Sequence, residues 1–194
     1  MSMLLDRVPD SLTISGIRYP IKTSFRDWIK FENALFNQDD NVSIEDIFRL
    51  VFERIIPTPK HYEEAVDQLL WFYNCGKDNH SSGKSSGKDI FSYEYDDGYI
   101  EAAFKQQYDI DLNDIELHWW KFHAYMLALS PDTEFVKIMG YRTVEINSKM
   151  STAQRSFYQK MKKHYKLPVK KEDQERISRL EEALLNGESI DGLI

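Results

Sequence analysis

The chain has 194 residues, of which 42% are hydrophobic and 29% charged, and its formal net charge is −7. A chain of this length suits one domain, with or without appendages, that buries roughly 70% of its extended surface, and the negative charge argues against wholesale binding to a polyanion. Because no apolar run approaches the ~20 residues of a membrane helix and the single cysteine, Cys75, allows no internal disulfide, the sequence predicts a soluble, reduced, cytoplasmic protein.

A tight β-hairpin is predicted at the N-terminus. In LTISGIRYPI, residues 12–21, Ser15 and Gly16 separate two short runs rich in β-branched residues, a pattern typical of a two-residue hairpin turn. Two strands alone are only marginally stable, so we expect this hairpin, assigned to residues 1–22, to pack on another element.

Three amphipathic helices are predicted to follow the hairpin. The first begins after a Thr-Ser cap candidate at residues 23–24, and the second follows Ser43, although Asp46 stands where a capping box usually has Glu or Gln. The third runs from about Pro59 to a C-cap at Gly76.

The segment GKDNHSSGKSSGKD, residues 76–89, has no apolar side chain and cannot offset the entropy cost of being ordered. A phosphate-binding loop requires Gly, four residues, and then Gly-Lys-Ser/Thr, whereas successive glycines here are separated by six residues and by three, and the last Gly-Lys pair precedes Asp89. We therefore predict a flexible, disordered linker over 76–90 and no nucleotide site.

Helical patterns resume after the linker. Helices are predicted around Tyr99, around HWWKFHAYML at 118–127, after a Ser-Pro start at 130–131, and from Ser151 to Tyr165. The second of these is apolar around almost its whole circumference, so we expect it to be buried, with Asp114 as its N-cap.

The predicted fold class is mainly α. We expect a compact multi-helix domain over 23–168, interrupted by the linker, with the short β-hairpin before it and a C-terminal amphipathic helix and tail over 169–194.

Candidate metal and catalytic motifs lack the spacing that their chemistry requires. The acidic run DIDLND, residues 109–114, begins like a calcium loop but lacks Gly at the sixth and Glu at the twelfth position. His118 and His123 lie five residues apart, whereas metal ligands on one helix face lie three or four apart. Since no serine or cysteine occurs in a nucleophile-elbow context and Cys75 is interpreted as a packing residue, we expect no metal, no cofactor and no enzymatic activity.

The segment 149–171 carries eight Lys and Arg residues and no acidic residue, with several aromatic residues among them. Such a mixture can serve nucleic-acid binding. The overall negative charge favours a different interpretation, in which Phe157, Met161 and Tyr165 face the core and the lysines are solvated or meet acidic residues at 94–97.

Several strings occur together in a recognisable order: YPIKTSFRDWIKFE (19–32), WFYNCGK (71–77), YIEAAFKQQYDIDL (99–112), LHWWKFHAYMLAL (117–129) and KIMGYR (137–142). Over about residues 10–168 the chain thereby resembles the bacteriophage gene-product-fifteen family, small proteins of long-tailed phages and of prophages in Gram-positive bacteria. HWWKF and MGYR are the more specific strings.

The resemblance implies a role as a tail assembly chaperone in the cytoplasm of the bacterial host. It implies, as partners, the hydrophobic helical tape-measure protein, encoded beside this gene, and other tail assembly proteins. The family-like positions, taken as candidate partner-binding residues, are Trp71, Tyr73, Trp119, Trp120, Phe122, Tyr141 and Arg142.

Two other functions are weighed against the chaperone. The alternative is a structural component of the phage tail or its connector, and a nucleic-acid-binding protein that uses the basic segment is disfavoured by the net charge. The sequence predicts no membrane partner and leaves homo-oligomer formation open.

Overall fold

The computed structural model describes residues 3–36, 42–77 and 90–168. The elements, in chain order, are β1 (Ser11–Ile14), β2 (Ile17–Pro20), α1 (Phe25–Phe36), α2 (Ile44–Val51), α3 (Tyr62–Tyr73), α4 (Asp97–Tyr108), α5 (Trp119–Leu127), α6 (Glu134–Thr143) and α7 (Thr152–His164). The predicted mainly helical fold with an N-terminal hairpin is confirmed for these residues.

The chain divides into two compact units. The first unit comprises Met1–Gly87 and Asp96–Lys137, and the second comprises Lys88–Tyr95 and Ile138–Ile194. The domain limits predicted from the sequence, after residues 22 and 168, stay a prediction.

The hairpin forms where the Ser-Gly pair indicates. β1 and β2 are antiparallel, with Leu12 opposite Tyr19, and the turn residues Ser15 and Gly16 have φ values of 48° and 77°. Two consecutive positive φ values define the turn whose twist matches that of the flanking strands. Leu12, Ile14 and Tyr19 are buried, so one face of the hairpin belongs to the core.

The hairpin also pairs with the segment that follows α2. Ile21 and Phe52 form an isolated antiparallel bridge, and the Lys22 N–H donates to the Val51 carbonyl at 2.7 Å. The expectation that the hairpin packs on another element is therefore confirmed, because these bonds tie its end to the chain beyond α2.

The start of α2 is a complete capping box. Ser43 Oγ accepts the Asp46 N–H at 3.2 Å, and the Asp46 carboxylate accepts the Ser43 N–H at 3.2 Å. The predicted cap is confirmed, and the shorter aspartate serves in place of the usual Glu or Gln. The third helix likewise follows the prediction, with a single 3₁₀ turn at Pro59–His61 before α3.

The N-cap of α5 is His118, and the prediction that Asp114 caps this helix is wrong. The chain before α5 is extended because it pairs with the chain before α1. Ser24 and His118 form an antiparallel bridge, and the Trp119 N–H donates to the Thr23 carbonyl at 2.7 Å. Since a helix starting at Asp114 would withdraw these backbone groups from the bridge, the helix begins only at Trp119.

The start of α6 lies one turn later than predicted. The Ser-Pro pair at 130–131 stands in a turn, and the Thr133 hydroxyl donates to the Ser130 carbonyl at 2.8 Å. The same hydroxyl accepts the Val136 N–H at 3.5 Å, so Thr133 takes the capping position. α6 therefore begins at Glu134.

The start of α7 agrees with its prediction. Ser151 accepts the Gln154 N–H at 3.2 Å, and the Gln154 side chain accepts the Ser151 N–H at 2.9 Å. This second capping box satisfies two backbone donors that the first turn of α7 leaves without helical partners.

Two sequence predictions fall on residues that the structure does not describe. Residues 78–89 of the predicted linker lie outside the described residues, as does the predicted C-terminal helix and tail at 169–194. In the three described stretches, no helix is both long enough and apolar enough to cross a membrane.

The capping box of α2 gives a stability prediction. Replacing Ser43→Ala removes the acceptor of the Asp46 N–H and should lower the free energy of unfolding by about 1 kcal/mol in chemical denaturation. Ser148→Ala, at an exposed turn position outside the helices, is the control and should change it by less than about 0.5 kcal/mol. Equal losses in the two variants would contradict a capping role for Ser43.

Candidate partner-binding site

The candidate partner-binding residues fall into two groups. Five of them belong to α3 and α5 of the first unit, and the two others belong to α6 in the second unit. Trp119, Trp120 and Phe122 are each 1% exposed, whereas Trp71 and Tyr73 are half-buried.

The C-terminus of α3 is a tight turn that reverses the chain. The Cys75 N–H donates to the Phe72 carbonyl and the Gly76 N–H donates to the Trp71 carbonyl, each at 2.9 Å. This pair of bonds defines a Schellman motif, and both Cys75 and Gly76 have positive φ, 56° and 71°. The predicted C-cap at Gly76 is thus one residue of a two-residue left-handed turn.

Two indole groups of α5 complete the end of α3. Trp119 Nε1 donates to the Tyr73 carbonyl at 2.8 Å, and Trp120 Nε1 donates to the Phe72 carbonyl at 2.7 Å. The last carbonyls of a helix have no partner within the helix, and a buried indole N–H requires an acceptor. The two tryptophans satisfy both requirements at once and fix α5 against α3.

Ring stacking adds to this attachment. Tyr73 stacks on Trp119 with 5.5 Å between ring centroids, and Trp71 meets Trp120 edge to face at 5.6 Å. Phe122 lies in the same core, stacked on other phenylalanine rings. Since Trp119, Trp120 and Phe122 are almost completely buried, they would meet a partner only if α5 left the core. Partner contact by these residues stays a prediction.

His118 caps α5 as a neutral imidazole. The Trp120 N–H donates to His118 Nδ1 at 3.1 Å, so the proton of the ring resides on Nε2, which lies 2.9 Å from the Pro9 carbonyl and donates to it. Burial lowers the pKa of His118, which agrees with a ring whose Nδ1 must stay unprotonated to accept a bond.

The two candidate residues of the second unit hold its own chain segments together. Arg142 Nε donates to the Tyr165 carbonyl at 2.6 Å, and Arg142 Nη1 donates to the Ile90 carbonyl at 2.9 Å. Tyr141 stacks on Tyr165 with 5.8 Å between centroids and meets Phe157 edge to face at 6.0 Å. The MGYR string therefore joins α6 to the C-terminal end of α7 and to the chain at Ile90.

The helix α7 exposes most of its surface. None of its residues is buried, and Phe157 is 48% exposed, while Tyr158 and Met161 are half-buried. The interpretation that the apolar face of α7 lies in the core is wrong for Phe157. Asp96, one of the acidic residues considered as a surface for the lysines, is itself only 1% exposed.

We define the α7 surface as the exposed or half-exposed Arg, Lys, Met, Phe and Tyr side chains of this helix: Arg155, Phe157, Tyr158, Lys160, Met161, Lys162 and Lys163. The candidate list taken from the family strings omits it. The signal for it was present in the sequence, as an apolar i, i+4 pair in a segment without any acidic residue.

A serine, a histidine and a glutamate meet at the hairpin turn. Ser15 Oγ lies 2.7 Å from His61 Nδ1 and 2.7 Å from Glu64 Oε2, and the Ser15 N–H donates to Glu64 Oε1 at 2.8 Å. The hydroxyl proton goes to the carboxylate, and these bonds lower the pKa of Glu64. A nucleophilic serine instead donates its proton to a base that a third group orients, so this cluster ties the hairpin to α3.

The single cysteine, Cys75, is partly buried. Burial raises the pKa of the Cys75 thiol to about 11, so the thiol is protonated at neutral pH and is a poor nucleophile. Within residues 3–36, 42–77 and 90–168, no group of three or more His, Cys, Asp and Glu side chains is arranged to hold a metal ion.

Comparison with protein families identifies the chain. The model of the family described as "Bacteriophage Gp15 protein" matches residues 4–167. The chain therefore belongs to the bacteriophage Gp15 protein family, and the resemblance carried by its sequence strings is confirmed. Comparison with curated proteins and comparison with solved structures each give no match.

The turn at the end of α3 gives a second prediction. A Cβ at Gly76 would lie 2.8 Å from the Cη2 atom of the buried Trp120 ring, and φ at Gly76 is +71°. Gly76→Ala should therefore lower the free energy of unfolding by more than about 1 kcal/mol, through left-handed strain and the clash together. Chemical denaturation followed by tryptophan fluorescence measures the loss.

The matched control for Gly76 is another glycine of the first unit. Gly98 has no atom within 4 Å of a Cβ position and lies in α4. Gly98→Ala should leave the free energy of unfolding unchanged or raise it by up to about 1 kcal/mol. A loss at Gly98 equal to that at Gly76 would contradict the close approach of Trp120.

The His118 cap predicts a pH dependence. Because burial lowers the pKa of His118 in the folded protein, the unfolded chain binds more protons at mildly acidic pH. The free energy of unfolding should be highest above the ordinary histidine pKa of about 6.5 and should fall as the pH drops toward about 5. In His118→Asn, which keeps a capping acceptor, the fall should be smaller. If the unaltered protein and His118→Asn lost stability identically as the pH falls, His118 would not be a source of the pH dependence.

Proposed function

We propose that this protein is a tail assembly chaperone, which binds the hydrophobic helical tape-measure protein in the host cytoplasm during phage tail morphogenesis. Membership of the bacteriophage Gp15 protein family supports a phage role. The observation that carries the chaperone proposal is the α7 surface. It belongs to an amphipathic helix in which no residue is buried.

The α7 surface has the chemistry that an apolar helical client requires. Phe157 is 48% exposed, and Met161, one helical turn later, is half-buried. An aromatic ring beside a flexible methionine adapts to varied apolar side chains, and a client helix recognised in this way lays its apolar face along such a stripe.

The buried aromatic cluster supports the same assignment by elimination. Trp119, Trp120 and Phe122 are already in the core, and the indole N–H groups of the two tryptophans are bonded to carbonyls of α3. We therefore assign client contact to α7, which leaves apolar area uncovered, and not to these buried residues.

Binding by one short stripe gives modest affinity per subunit. A long client helix can accept many copies of the chaperone along its length, and repeated weak contacts gain strength when several sites lie on one chain. Many copies per tape-measure protein, each bound weakly, are the expected stoichiometry.

Co-expression with the neighbouring tape-measure protein tests the proposal. The full chain should keep the client soluble, and pull-down with light scattering should give a complex with several copies per client. In Phe157→Ala/Met161→Ala, each truncation of a contact residue should cost about 1 kcal/mol, so the variant should bind the client at least about tenfold more weakly.

The control removes exposed apolar side chains of the first unit. Ile55 is 70% exposed and Leu127 is 69% exposed, and Ile55→Ala/Leu127→Ala should retain the client. If the client stayed insoluble when co-expressed with the unaltered chain, the proposed chaperone function would be wrong. Detection of this protein in purified virions by mass spectrometry would then favour a structural component of the tail or its connector.

A further inference from the structure

The charge of the chain is distributed unevenly. Within the described residues of the second unit, 90–95 and 138–168, seven Lys and Arg face two Glu, a formal charge of +5, in a chain whose formal net charge is −7. Five of those cations lie between residues 155 and 166, so positive charge is concentrated on and just after α7.

The cations of α7 are not neutralised by ion pairs among the described residues. The seven ion pairs of the described chain involve none of Arg155, Lys160, Lys162 and Lys163. All but the half-buried Lys162 are exposed. Their charge is therefore available to an acidic partner.

Two of the cations flank the apolar stripe, one on each side. In a helix of 3.6 residues per turn, Phe157 and Met161 lie on one face, Lys160 lies to one side of it and Lys162 to the other. This arrangement matches an apolar ridge with a row of carboxylates along each edge.

We propose that the α7 surface docks an acidic amphipathic helix of the client protein. The inference rests on the proposed function and specifies which client segments are bound: those whose apolar stripe is bordered by Glu or Asp. The client stripe covers Phe157 and Met161, and its carboxylates face Lys160 on one edge and Lys162 on the other.

A protein helix fits this surface better than a nucleic acid does. A phosphate backbone would satisfy the cations but would leave the apolar area of Phe157 and Met161 without a complementary face. An acidic amphipathic helix matches both the charge and the apolar stripe.

The binding test uses the full chain and three fluorescent probes. The first is a synthetic amphipathic peptide with a leucine stripe bordered by glutamates, the second has lysine at each glutamate position, and the third is a single-stranded DNA oligonucleotide. Fluorescence anisotropy should show that the glutamate peptide binds at least about tenfold more tightly than either other probe and that its affinity falls with added salt.

Charge reversal locates the site. Lys160→Glu/Lys162→Glu/Lys163→Glu should weaken binding of the glutamate peptide by at least about tenfold and should favour the lysine peptide. The control, Lys60→Glu/Lys77→Glu/Lys121→Glu, makes the same change of net charge at exposed lysines of the first unit and should leave binding within about twofold. Equal losses in the two variants would overturn the assignment to α7.

Other occupants of the surface give distinct results, each of which overturns the proposal. Tighter binding of the DNA would assign the surface to nucleic acid, and a dimer that dissociates on charge reversal of α7 would assign it to a second copy. The sequence after Pro168 carries seven acidic residues. If the peptide bound only after Glu172→Gln/Asp173→Asn/Glu175→Gln, the chain's own C-terminal segment would be the occupant.

Co-expression with the tape-measure protein separates this inference from the proposed function. If the unaltered chain and the α7 charge-reversal variant retain the client equally well, the chaperone function is supported and the acidic-helix inference is wrong. If the glutamate peptide binds α7 as expected but the client is not retained, the acidic-helix inference is supported and the proposed chaperone function is wrong.

Discussion

The first unit depends on two indole N–H groups that end one helix and anchor another. Trp119 and Trp120 donate to the Tyr73 and Phe72 carbonyls, which have no partner within α3. Removing either bond would leave a buried indole N–H without a partner, and a buried unpaired donor costs more than a hydrogen bond contributes. The Schellman turn makes this geometry accessible, because a side chain at Gly76 would occupy the space of the Trp120 ring.

The sequence preferences of turns and helix caps predicted those elements whose ends are fixed by neighbouring residues. The Ser-Gly turn, the cap at Ser43, the start of α7 near Ser151 and the glycine after α3 each depend on backbone groups within a few residues, so the sequence alone indicates them. The start of α5 was missed because its backbone is engaged by residues around Thr23, far away in the sequence. Single-sequence propensity contains no information on that pairing.

The candidate site was harder to predict than the fold for a related reason. The strings that identify the family include the residues that pack α5 on α3 and join α6 to α7, so a recognisable string marks the architecture as readily as a contact with a partner. The spacing of Phe157 and Met161 in a basic segment was visible in the sequence. Whether that stripe faces the core or solvent depends on what packs on α7, which periodicity does not specify.

The long separation between the indole donors and their acceptors also bears on how the protein is made. The Trp120 donor lies 48 residues after its acceptor at Phe72, and a ribosome releases the chain from its N-terminus. While α5 is still inside the ribosome, the hairpin and α1–α3 have emerged without the rings that complete their core. A nascent chain paused in this interval exposes apolar surface to host proteases and folding factors. The first unit, which extends to Lys137, can fold as a whole only after α5 and the residues that follow it have left the ribosome.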